Sequence, residues 1–420
     1  MTHGRPAAIR STVIPVGEAL ARVLEATGVL GAERTAILAA LGRVAAEDVV
    51  SRRAVPAAPY SAMDGYALRH TDVSGAPARL RIVAVEPAGT VVATTVEPGT
   101  AVKLFTGSVI PAGADAVVRI EDCEEEGERL LVRTPVPHGA NIRATGEDVE
   151  PGQVVLARGT VVGPADVGVL ASVGRSNVLV HQRPRVAILS TGSELVEVDD
   201  VPGPGQVVNS NAYGLAAAVR EAGGEAVVLA IASDRLDEIR ASVAEATRAD
   251  VVVSTGGVSV GDLDFVKDAL ETASFERVFW RVAQKPGKPL LFGRLAGRLF
   301  FGLPGNPVSA LVCFALYVRP ALRRLQGHRR VHLPVVQARL AAPVRKTRGL
   351  TEFVRVVLSD GPDGPIATAA RSQSSGVLTA LGGGAGLLVG AAELTELPAG
   401  GRYSVVVGAE ATLASEAPPF

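Results

Sequence analysis

The sequence predicts a multidomain α/β plus β protein, with a central α/β domain whose sheet is mostly parallel. The chain has 420 residues, which is more than one ordinary core holds, so two to four domains are expected. Between residues 184 and about 326, short apolar runs alternate with helical periodicity, a pattern typical of a parallel sheet. On both sides of that segment, short β-like runs alternate with glycine and proline turns.

The N-terminal part is predicted to begin with helices. Residues 16–26 and 36–49 both carry apolar side chains at helical spacing. From about residue 55 to residue 143, short β-like runs predict a small all-β unit. A further helix begins at Gly163, with a proline directly after it and Gly174 at its end.

The central segment contains four candidate parallel strands separated by helices. The strands are predicted at residues 186–189, 226–230, 251–254 and 299–302. The helices are predicted near residues 211–222, 235–247, 264–270 and 308–324. From about residue 331 short strands return, which predicts a C-terminal β unit, either a barrel or a small sheet.

Composition and charge exclude several classes of protein. The net charge of -1 provides no field that would attract nucleic acid or an acidic membrane, so neither is an expected partner. No apolar run approaches the ~20 residues of a membrane-spanning helix, and the N-terminus has no signal-peptide pattern. Two distant cysteines and six scattered histidines predict neither a disulfide framework nor a zinc site, which favours a cytoplasmic location.

The most informative motif is a glycine-rich loop after the third central strand, at residues 254–264. Successive amide groups in such a turn, beside the start of a helix, bind anions. Asp262 and Asp264 follow, and carboxylates are needed there if a divalent metal ion bridges the protein to a phosphate. The loop is neither a Walker A loop nor a dinucleotide fingerprint, and a tight turn before an acidic helix start is the simpler alternative. Its candidate ligand-binding residues are Gly256, Gly257, Ser259 and Gly261.

Polar segments also follow the other central strands, at the sheet edge where open α/β sheets bind ligands. Between them, Lys285 and Lys288 lie in a loop that two prolines stiffen, and fixed lysines suit anions such as phosphate. Each segment alone could be a capped helix start, but together they predict one pocket for an anionic substrate. The strand-end residues are Ser190, Thr191, Gly192, Glu194, Asp234, Pro304, Gly305, Asn306 and Pro307.

Seven motifs occur in a characteristic order. Ser-Ala-Met-Asp-Gly-Tyr-Ala at 61–67 and Thr-Gly-x-x-x-Pro-x-Gly-Ala-Asp-Ala-Val-Val at 106–118 precede Asn-Ile-Arg-x-x-Gly-Glu-Asp at 141–148. Arg-Pro-Arg-Val-Ala-Ile-Leu-Ser-Thr-Gly at 183–192, the glycine loop, Lys-Pro-Gly-Lys-Pro at 285–289 and Leu-Pro-Gly-Asn-Pro-Val-Ser at 303–309 follow. This series spans nearly the whole chain and resembles the MoeA family of molybdopterin molybdenumtransferases, whose eukaryotic relative is the C-terminal part of gephyrin.

The resemblance implies a molybdenum insertase of molybdenum cofactor biosynthesis. Such an enzyme transfers molybdate to adenylylated molybdopterin with Mg²⁺ and releases AMP. A homodimer with a shared active site is implied, and a molybdopterin-adenylylating enzyme is a possible partner. Two alternatives stay open, namely a molybdopterin adenylyltransferase and a non-catalytic scaffold or binding protein of the same family.

The resemblance also implies four domains. These are an elongated helical dimerisation domain at 1–54 and 144–182, an inserted β domain at 55–143, an α/β molybdopterin-binding domain at 183–326 and a C-terminal β-barrel-like domain at 327–420. The chain departs from the family pattern at 57–60, at Arg235, where a second acid is usual, and at 373–375, where Gln-Gly-Ser is usual.

The positions that match the family's pocket define the expected site residues. The carboxylates expected to be catalytic, and to border Mg²⁺ or molybdate, are Asp64, Glu194, Asp234 and Asp264. The resemblance adds Thr106 and Ser375 to the substrate-binding residues named above, and it includes Lys285, Lys288, Pro304 and Pro307 among them.

Overall fold

The structure is a computed structural model that describes residues 13–90, 94–256, 269–270, 273–382 and 386–408. The chain divides into two compact units, one formed by Arg34–Val180 and the other by Met1–Glu33 together with His181–Phe420. The predicted multidomain architecture of α/β and β parts is confirmed, whereas the four domain boundaries stay a prediction. In the described ranges no helix has both the length and the apolar character needed to cross a membrane.

Six helices and 28 short strands occur in the described residues. The helices are α1 (Val16–Ala26), α2 (Pro164–Ser172), α3 (Ser210–Glu221), α4 (Leu236–Ala246), α5 (Pro307–Cys313) and α6 (Arg319–Leu325). The strands of the first half are β1 (Ala32–Ala36), β2 (Val49–Val50), β3 (Tyr60–Ser61), β4 (Gly65–Leu68), β5 (Ala78–Glu86), β6 (Thr100–Leu104), β7 (Ala116–Arg119), β8 (Cys123–Glu126), β9 (Arg129–Val132), β10 (Ile142–Arg143), β11 (Val154–Leu156) and β12 (Asn177–His181). Those of the second half are β13 (Arg185–Ser190), β14 (Leu195–Val196), β15 (Val207–Val208), β16 (Glu225–Val228), β17 (Val251–Thr255), β18 (Phe275–Trp280), β19 (Gln284–Lys285), β20 (Leu291–Leu295), β21 (Arg298–Leu303), β22 (Val335–Leu340), β23 (Val344–Arg345), β24 (Thr351–Ser359), β25 (Ile366–Ala369), β26 (Gly386–Gly390), β27 (Glu396–Leu397) and β28 (Arg402–Val406).

The Arg34–Val180 unit is built around a six-stranded sheet in the order β7-β4-β6-β5-β9-β8, as the all-β prediction for residues 55–143 requires. All neighbouring strands are antiparallel except β5 and β6. Tyr66, Leu68, Leu80 and Leu130 fill the core on one face of this sheet.

The prediction of a helix at residues 36–49 is wrong. A 3₁₀ turn covers Ile37–Ala40, and Gly42 then adopts φ +74, a left-handed conformation that ends any right-handed helix. Ala40 and Ala45 are fully buried in a core that includes Leu170 of α2. The apolar spacing therefore reflects a folded-over segment that packs on α2 and β12. By contrast, the predicted helix after Gly163 is confirmed as α2, whose start is capped by the Asp166 carboxylate.

The central sheet has the order β16-β13-β17-β21-β20-β18. The first four strands are parallel, and they confirm the four predicted strands; β20 and β18 add an antiparallel edge. Because both faces are covered, alternate residues of β13 enter two different cores, with Val186 and Ile188 on one face and Ala187 and Leu189 on the other. The predicted helices at 211–222 and 235–247 are confirmed as α3 and α4, and the predicted helix at 264–270 lies almost entirely outside the described residues.

The predicted helix at 308–324 is present, but it is interrupted by a π-helical turn at Phe314–Val318. Pro320 explains the interruption, because it has no N–H to donate to the preceding turn and its ring collides with the carbonyl four residues before it. A wider turn before the proline removes that collision and lets the chain continue to Leu325.

The C-terminal sheet closes on itself. Its strands run β24-β25-β22-β28-β26, and β26 pairs with β24 again, so the predicted barrel is the form that the structure takes. Closure leaves these strands without free edges and encloses a core that contains Val354, Val356, Leu388 and Val405. β19 pairs in parallel with β24, which attaches the segment that begins the lysine loop to this barrel.

Candidate functional site

A cleft of about 460 Å³ opens at the carboxyl ends of β13, β17 and β21. Since these strands are parallel, the loops that follow them meet at one edge of the sheet. The start of α3 and one residue of the segment before β26 complete the walls. The cleft is lined by Thr191, Glu194, Leu195, Val207, Val208, Asn209, Ser210, Asn211, Thr255, Gly256, Gly305, Asn306, Pro307 and Gly376.

The Glu194 carboxylate folds back over the backbone of Gly192. A Cβ placed on Gly192 would lie 2.5 Å from Oε2 of Glu194, and Gly192 has φ +145. Only glycine leaves room for the carboxylate and adopts this conformation without strain. The glycine of the Ser-Thr-Gly motif therefore sets the position of an exposed acid at the mouth of the cleft.

Asp234 is joined to the same turn by two reciprocal hydrogen bonds with Ser193. The Ser193 N–H donates to Oδ2 of Asp234 at 3.0 Å, and the Asp234 N–H donates to Oγ of Ser193 at 3.1 Å. Arg235 pairs with Asp237 and Glu238 at the start of α4. The structure thus brings the loops of Glu194 and Asp234 together, although Asp234 does not belong to the cleft lining.

The floor of the cleft is formed by backbone in close approach. Gly256 has φ +84, and a Cβ there would lie 3.0 Å from the carbonyl oxygen of Thr191. A Cβ on Gly305 would lie 3.9 Å from the Cα of Gly256, so the loops after β17 and β21 touch at their glycines. Main chain rather than side chains therefore borders the ligand space at this point, and the Gly256 N–H is itself bonded to the carbonyl oxygen of Leu303 at 3.3 Å.

Two asparagines of the cleft were missed by the sequence reasoning. Oδ1 of buried Asn209 accepts a hydrogen bond from the Ser190 hydroxyl at 3.1 Å. Nδ2 of Asn211 donates to the carbonyl oxygen of Gly305 at 2.7 Å and so ties α3 to the loop after β21. The signal that could have found them is the Asn-Ser-Asn run at a strand-to-helix junction, where such residues commonly bond to neighbouring backbone.

Ser375 reaches the site through its main chain. The Val308 N–H, in the first turn of α5, donates to the carbonyl oxygen of Ser375 at 3.1 Å, and the adjacent Gly376 lines the cleft. Arg355 supports this segment, because its Nη2 donates to the carbonyl oxygen of Ser374 at 3.4 Å. Arg355 is 2% exposed and its Nε has no hydrogen-bond partner among the described residues, and this burial lowers the pKa of Arg355. Sequence reasoning had no signal for this buried cation, because it lies within a strand.

The lysine loop is fixed from below by a buried polar network. Nε2 of Gln284 donates to the carbonyl oxygens of Pro286 at 3.1 Å and Gly287 at 3.3 Å, while its Oε1 accepts from the Tyr317 hydroxyl. Gly287 has φ +91, and a Cβ on it would lie 2.4 Å from Sγ of Cys313. Burial raises the pKa of the Cys313 thiol to about 12, so this sulfur packs as a neutral group.

The two lysines of this loop are exposed above that network. Nζ of Lys285 lies 3.5 Å from Oε2 of Glu352, a carboxylate that is 8% exposed, whereas Lys288 has no ion pair with the described residues. Neither lysine belongs to the cleft lining. The Thr347 N–H holds the other oxygen of Glu352 at 2.6 Å, so Lys285 has a fixed counterion.

Asp64 and Thr106 lie together in the Arg34–Val180 unit. The Thr106 N–H and hydroxyl donate to Oδ1 of Asp64 at 2.7 Å and 2.8 Å. These donors lower the pKa of Asp64. The pair therefore presents an exposed, ionised carboxylate on a Gly-containing turn.

Four of the expected site residues, Gly257, Ser259, Gly261 and Asp264, lie outside the described residues. In the described ranges no group of three His, Cys, Asp or Glu side chains is arranged to hold a metal ion. Glu194 and Asp234 nevertheless offer exposed oxygen donors on adjoining loops. Mg²⁺ commonly uses one or two carboxylates together with substrate phosphates, so these residues fit that ion.

Comparisons with known proteins agree along most of the chain. Residues 14–174 match the family model of the MoeA N-terminal region (domain I and II), residues 187–324 match a probable molybdopterin binding domain, and residues 337–407 match the MoeA C-terminal region (domain IV). Molybdopterin molybdenumtransferase 2 of Mycobacterium tuberculosis is 40% identical over 329 residues, which cover 76% of this chain and 81% of the relative.

A second relative and a solved structure extend the likeness. Molybdopterin molybdenumtransferase of Staphylococcus aureus is 35% identical over 347 residues, which cover 81% of this chain and 83% of the relative. The crystal structure of a molybdopterin biosynthesis MoeA protein from Pyrococcus horikoshii superposes with a TM-score of 0.81 at 31% identity. That match covers 94% of this chain and 99% of the other.

Proposed function

Because the chain belongs to the MoeA family, we infer that it is a molybdopterin molybdenumtransferase, which inserts molybdenum during molybdenum cofactor biosynthesis. The substrates are molybdopterin and molybdate. The cleft at the carboxyl ends of β13, β17 and β21 is the observation that supports the proposed location of the reaction. We propose that adenylylated molybdopterin binds there and that AMP is released.

The chain's own groups suit an anionic substrate. The start of α3 presents main-chain amide groups, which stabilise phosphate without a side chain, and the glycines of the cleft floor leave room for it. Lys285 and Lys288 add exposed positive charge that would attract both the nucleotide and molybdate. Arg355, Gln373 and the main chain of Ser374 fix the segment that carries Ser375 and Gly376 beside α5.

We propose that the acidic residues orient the bond that is broken. Glu194 and Asp234 would hold Mg²⁺ together with the substrate's phosphates, and Asp264 is proposed to contribute from the glycine loop. When bound, that ion stabilises negative charge on the leaving phosphate. No described side chain of the cleft is an obvious covalent nucleophile, so catalysis is proposed to rest on positioning and electrostatics.

A homodimer is the proposed assembly, with Asp64 and Thr106 of one subunit completing the cleft of the other. A cytoplasmic location and a molybdopterin-adenylylating partner enzyme complete the proposal. Mixing subunits tests the shared site: Asp64→Asn and Glu194→Gln proteins, each inactive alone, should regain activity when they exchange subunits. Roughly a quarter of wild-type activity is expected from a statistical mixture, because one of the two sites in each mixed dimer is intact. Failure to recover activity despite proven exchange would contradict a shared site.

The direct test is AMP release from adenylylated molybdopterin with Mg²⁺ and molybdate. Glu194→Gln should lower the rate roughly 100-fold, because it removes a carboxylate that is proposed to hold Mg²⁺ at the reacting phosphate. Glu197→Gln is the matched control, since Glu197 is exposed in the same segment but does not line the cleft. Wild-type rates in Glu194→Gln would remove this carboxylate from the mechanism, and ATP-dependent release of pyrophosphate would favour an adenylyltransferase instead.

A further inference from the structure

A cluster of positively charged side chains lies at the C-terminal end of the helical rod formed by α5 and α6, far from the cleft at its N-terminal end. Residues 319–332 contain five arginines and two histidines but no acidic residue. None of these arginines forms an ion pair with a carboxylate in the described part of the chain. The rod begins at the cleft and ends here, so at ~1.5 Å per residue the two places are roughly 25 to 30 Å apart.

This basic segment forms one side of a cavity, which we call the basic pocket. It has a volume of about 770 Å³. Leu24 and Val29 provide an apolar wall opposite the charged one. The remaining lining residues are Arg324, Gly327, His328, Arg329, Arg330, Val331 and His332, and none of them is shared with the cleft.

Three buried nitrogen atoms of the basic segment at residues 319–332 have no hydrogen-bond partner in the described part of the chain. They are Nε2 of His328 and the Nε atoms of Arg319 and Arg323. His328 is only 5% exposed and lines the pocket itself, so its imidazole is an unpaired polar group at a cavity wall. Buried polar groups without a protein partner are costly and are usually satisfied by water or a bound ion.

The charges on this segment also act on one another. Burial, then the positive charges of Arg323 and Arg319, and the nearby His181, lower the pKa of His328 to about 4. Burial and then the charge of Arg319 lower the pKa of Arg323. Burial also lowers the pKa of Arg319, and the charge of Glu221 opposes that shift. A group of like charges this close is stabilised when an anion binds among them.

Stabilisation of the helix end does not account for the whole cluster. Arg323 and Arg324 lie in the last turn of α6, where cations offset the helix dipole. Arg329, Arg330 and His332 lie beyond the helix and are exposed, so they contribute nothing to that end. The position of the segment is fixed separately, by a hydrogen bond of 3.0 Å from Nη1 of Arg319 to the carbonyl oxygen of Val331.

We propose that the basic pocket is a binding site for a phosphate-bearing small molecule. Arginine guanidinium groups match phosphate oxygens in pairs, and the N–H of a neutral His328 imidazole is an additional donor. The volume and the mixed apolar and cationic walls suit a compact ligand in a concave site better than an extended acidic peptide on a flat surface. This site is independent of the reaction proposed for the cleft.

The test uses the full-length protein labelled with ¹⁵N in its six histidines, titrated with inorganic phosphate and, separately, with AMP. The signals of His328 and His332 should shift with saturation at about millimolar concentration or below, while His70 and His138 in the Arg34–Val180 unit stay unchanged. Because the signal is local, binding of AMP at the cleft does not imitate it. Tighter binding of AMP than of phosphate would identify an organic phosphate as the ligand, and equal binding would identify the free anion.

Paired variants separate the site from general charge effects. Arg329→Gln/Arg330→Gln alters two exposed pocket residues and should weaken binding at least about tenfold, as loss of two charge-assisted contacts predicts. Arg79→Gln/Arg81→Gln removes the same charge from exposed positions of β5 and should leave binding unchanged. No shift with either probe up to about 10 mM, or equal binding by the two variants, overturns the proposal. It is also overturned if an oligoglutamate peptide shifts His328 while both phosphates do not.

Discussion

The turn at residues 190–194 and the loop at residues 285–289 both present charged side chains to solvent, but they are held in different ways. In the first, exposed Ser193 and Asp234 bond to each other's backbone, and Glu194 rests on Gly192. In the second, a fully buried Gln284 holds the loop's carbonyl oxygens from inside the protein. The acids are therefore placed by surface contacts and the lysines by the core.

This difference decides how each region responds to substitution. Exposed hydrogen bonds compete with water and contribute little net free energy, so a change at the acidic turn alters geometry more than stability. Water cannot replace the hydrogen-bond partners of buried polar groups, so a change beneath the lysine loop alters both geometry and stability. Substitutions beneath the lysine loop should therefore lower both activity and the free energy of unfolding. Substitutions at the acidic turn should lower activity more than they lower the free energy of unfolding.

The largest effect is expected for Gly287→Ala. The new methyl group would lie 2.4 Å from Sγ of Cys313 and 2.7 Å from Nε2 of Gln284, in a backbone with φ +91. We expect the free energy of unfolding to fall by about 2–4 kcal/mol in urea titration, with a loss of AMP release.

Gly297→Ala is the matched control for Gly287→Ala. Gly297 has φ +79, and a Cβ added to it would have no neighbour within 4 Å, so the control carries the backbone strain without the collision. The free energy of unfolding of the Gly297→Ala protein should fall by only about 1 kcal/mol. Equal losses in the two variants would show that the buried network does not fix the lysine loop.

Gln284→Leu should have the next largest effect. It keeps the side chain's approximate volume but leaves the carbonyl oxygens of Pro286 and Gly287 without their shared donor. A loss of about 1–3 kcal/mol is expected from urea unfolding. Tyr317→Phe removes only the hydroxyl that bonds to Oε1 of Gln284 and should cost less. If the Gln284→Leu protein is as active as the wild type, the buried network does not position Lys285 and Lys288 for the reaction.

The sequence predicted the strands and the location of the cleft because both depend on local patterns. Apolar runs such as 251–254 identify buried parallel strands, and parallel strands place their following loops at one edge. Gly42 shows where local pattern failed, since apolar spacing could not reveal its left-handed conformation. Arg355 and Gln284 were missed for a different reason. Gln284 bonds to backbone only two and three residues away and Arg355 to backbone 19 residues away, but apolar spacing does not indicate that a polar side chain within a strand turns inward to bond there.

Gly192→Ala tests the acidic turn. Its methyl group would occupy the space of the Glu194 carboxylate, 2.5 Å from Oε2, in a backbone with φ +145. Glu194 is exposed and can move away, so we expect a loss of only about 1–2 kcal/mol from the strained backbone. AMP release should fall as far as in Glu194→Gln, and the double variant should be no worse than either. Additive losses in the double variant would mean that Gly192 does not act by positioning Glu194.

The smallest effect concerns Asp64, which is held like the acidic turn by exposed donors. Thr106→Val removes the hydroxyl but keeps the backbone N–H, so the pKa of Asp64 should rise part of the way to its ordinary value of 3.8. Carboxyl ¹³C titration by NMR measures this shift. Because the pKa of Asp64 is lowered in the folded protein, its contribution to stability is present above the unfolded pKa and disappears as the pH falls through the folded value. Any stability difference between Thr106→Val and the wild type that arises from this bond should therefore vanish in acid, and a difference that persists there must come from packing of the new side chain.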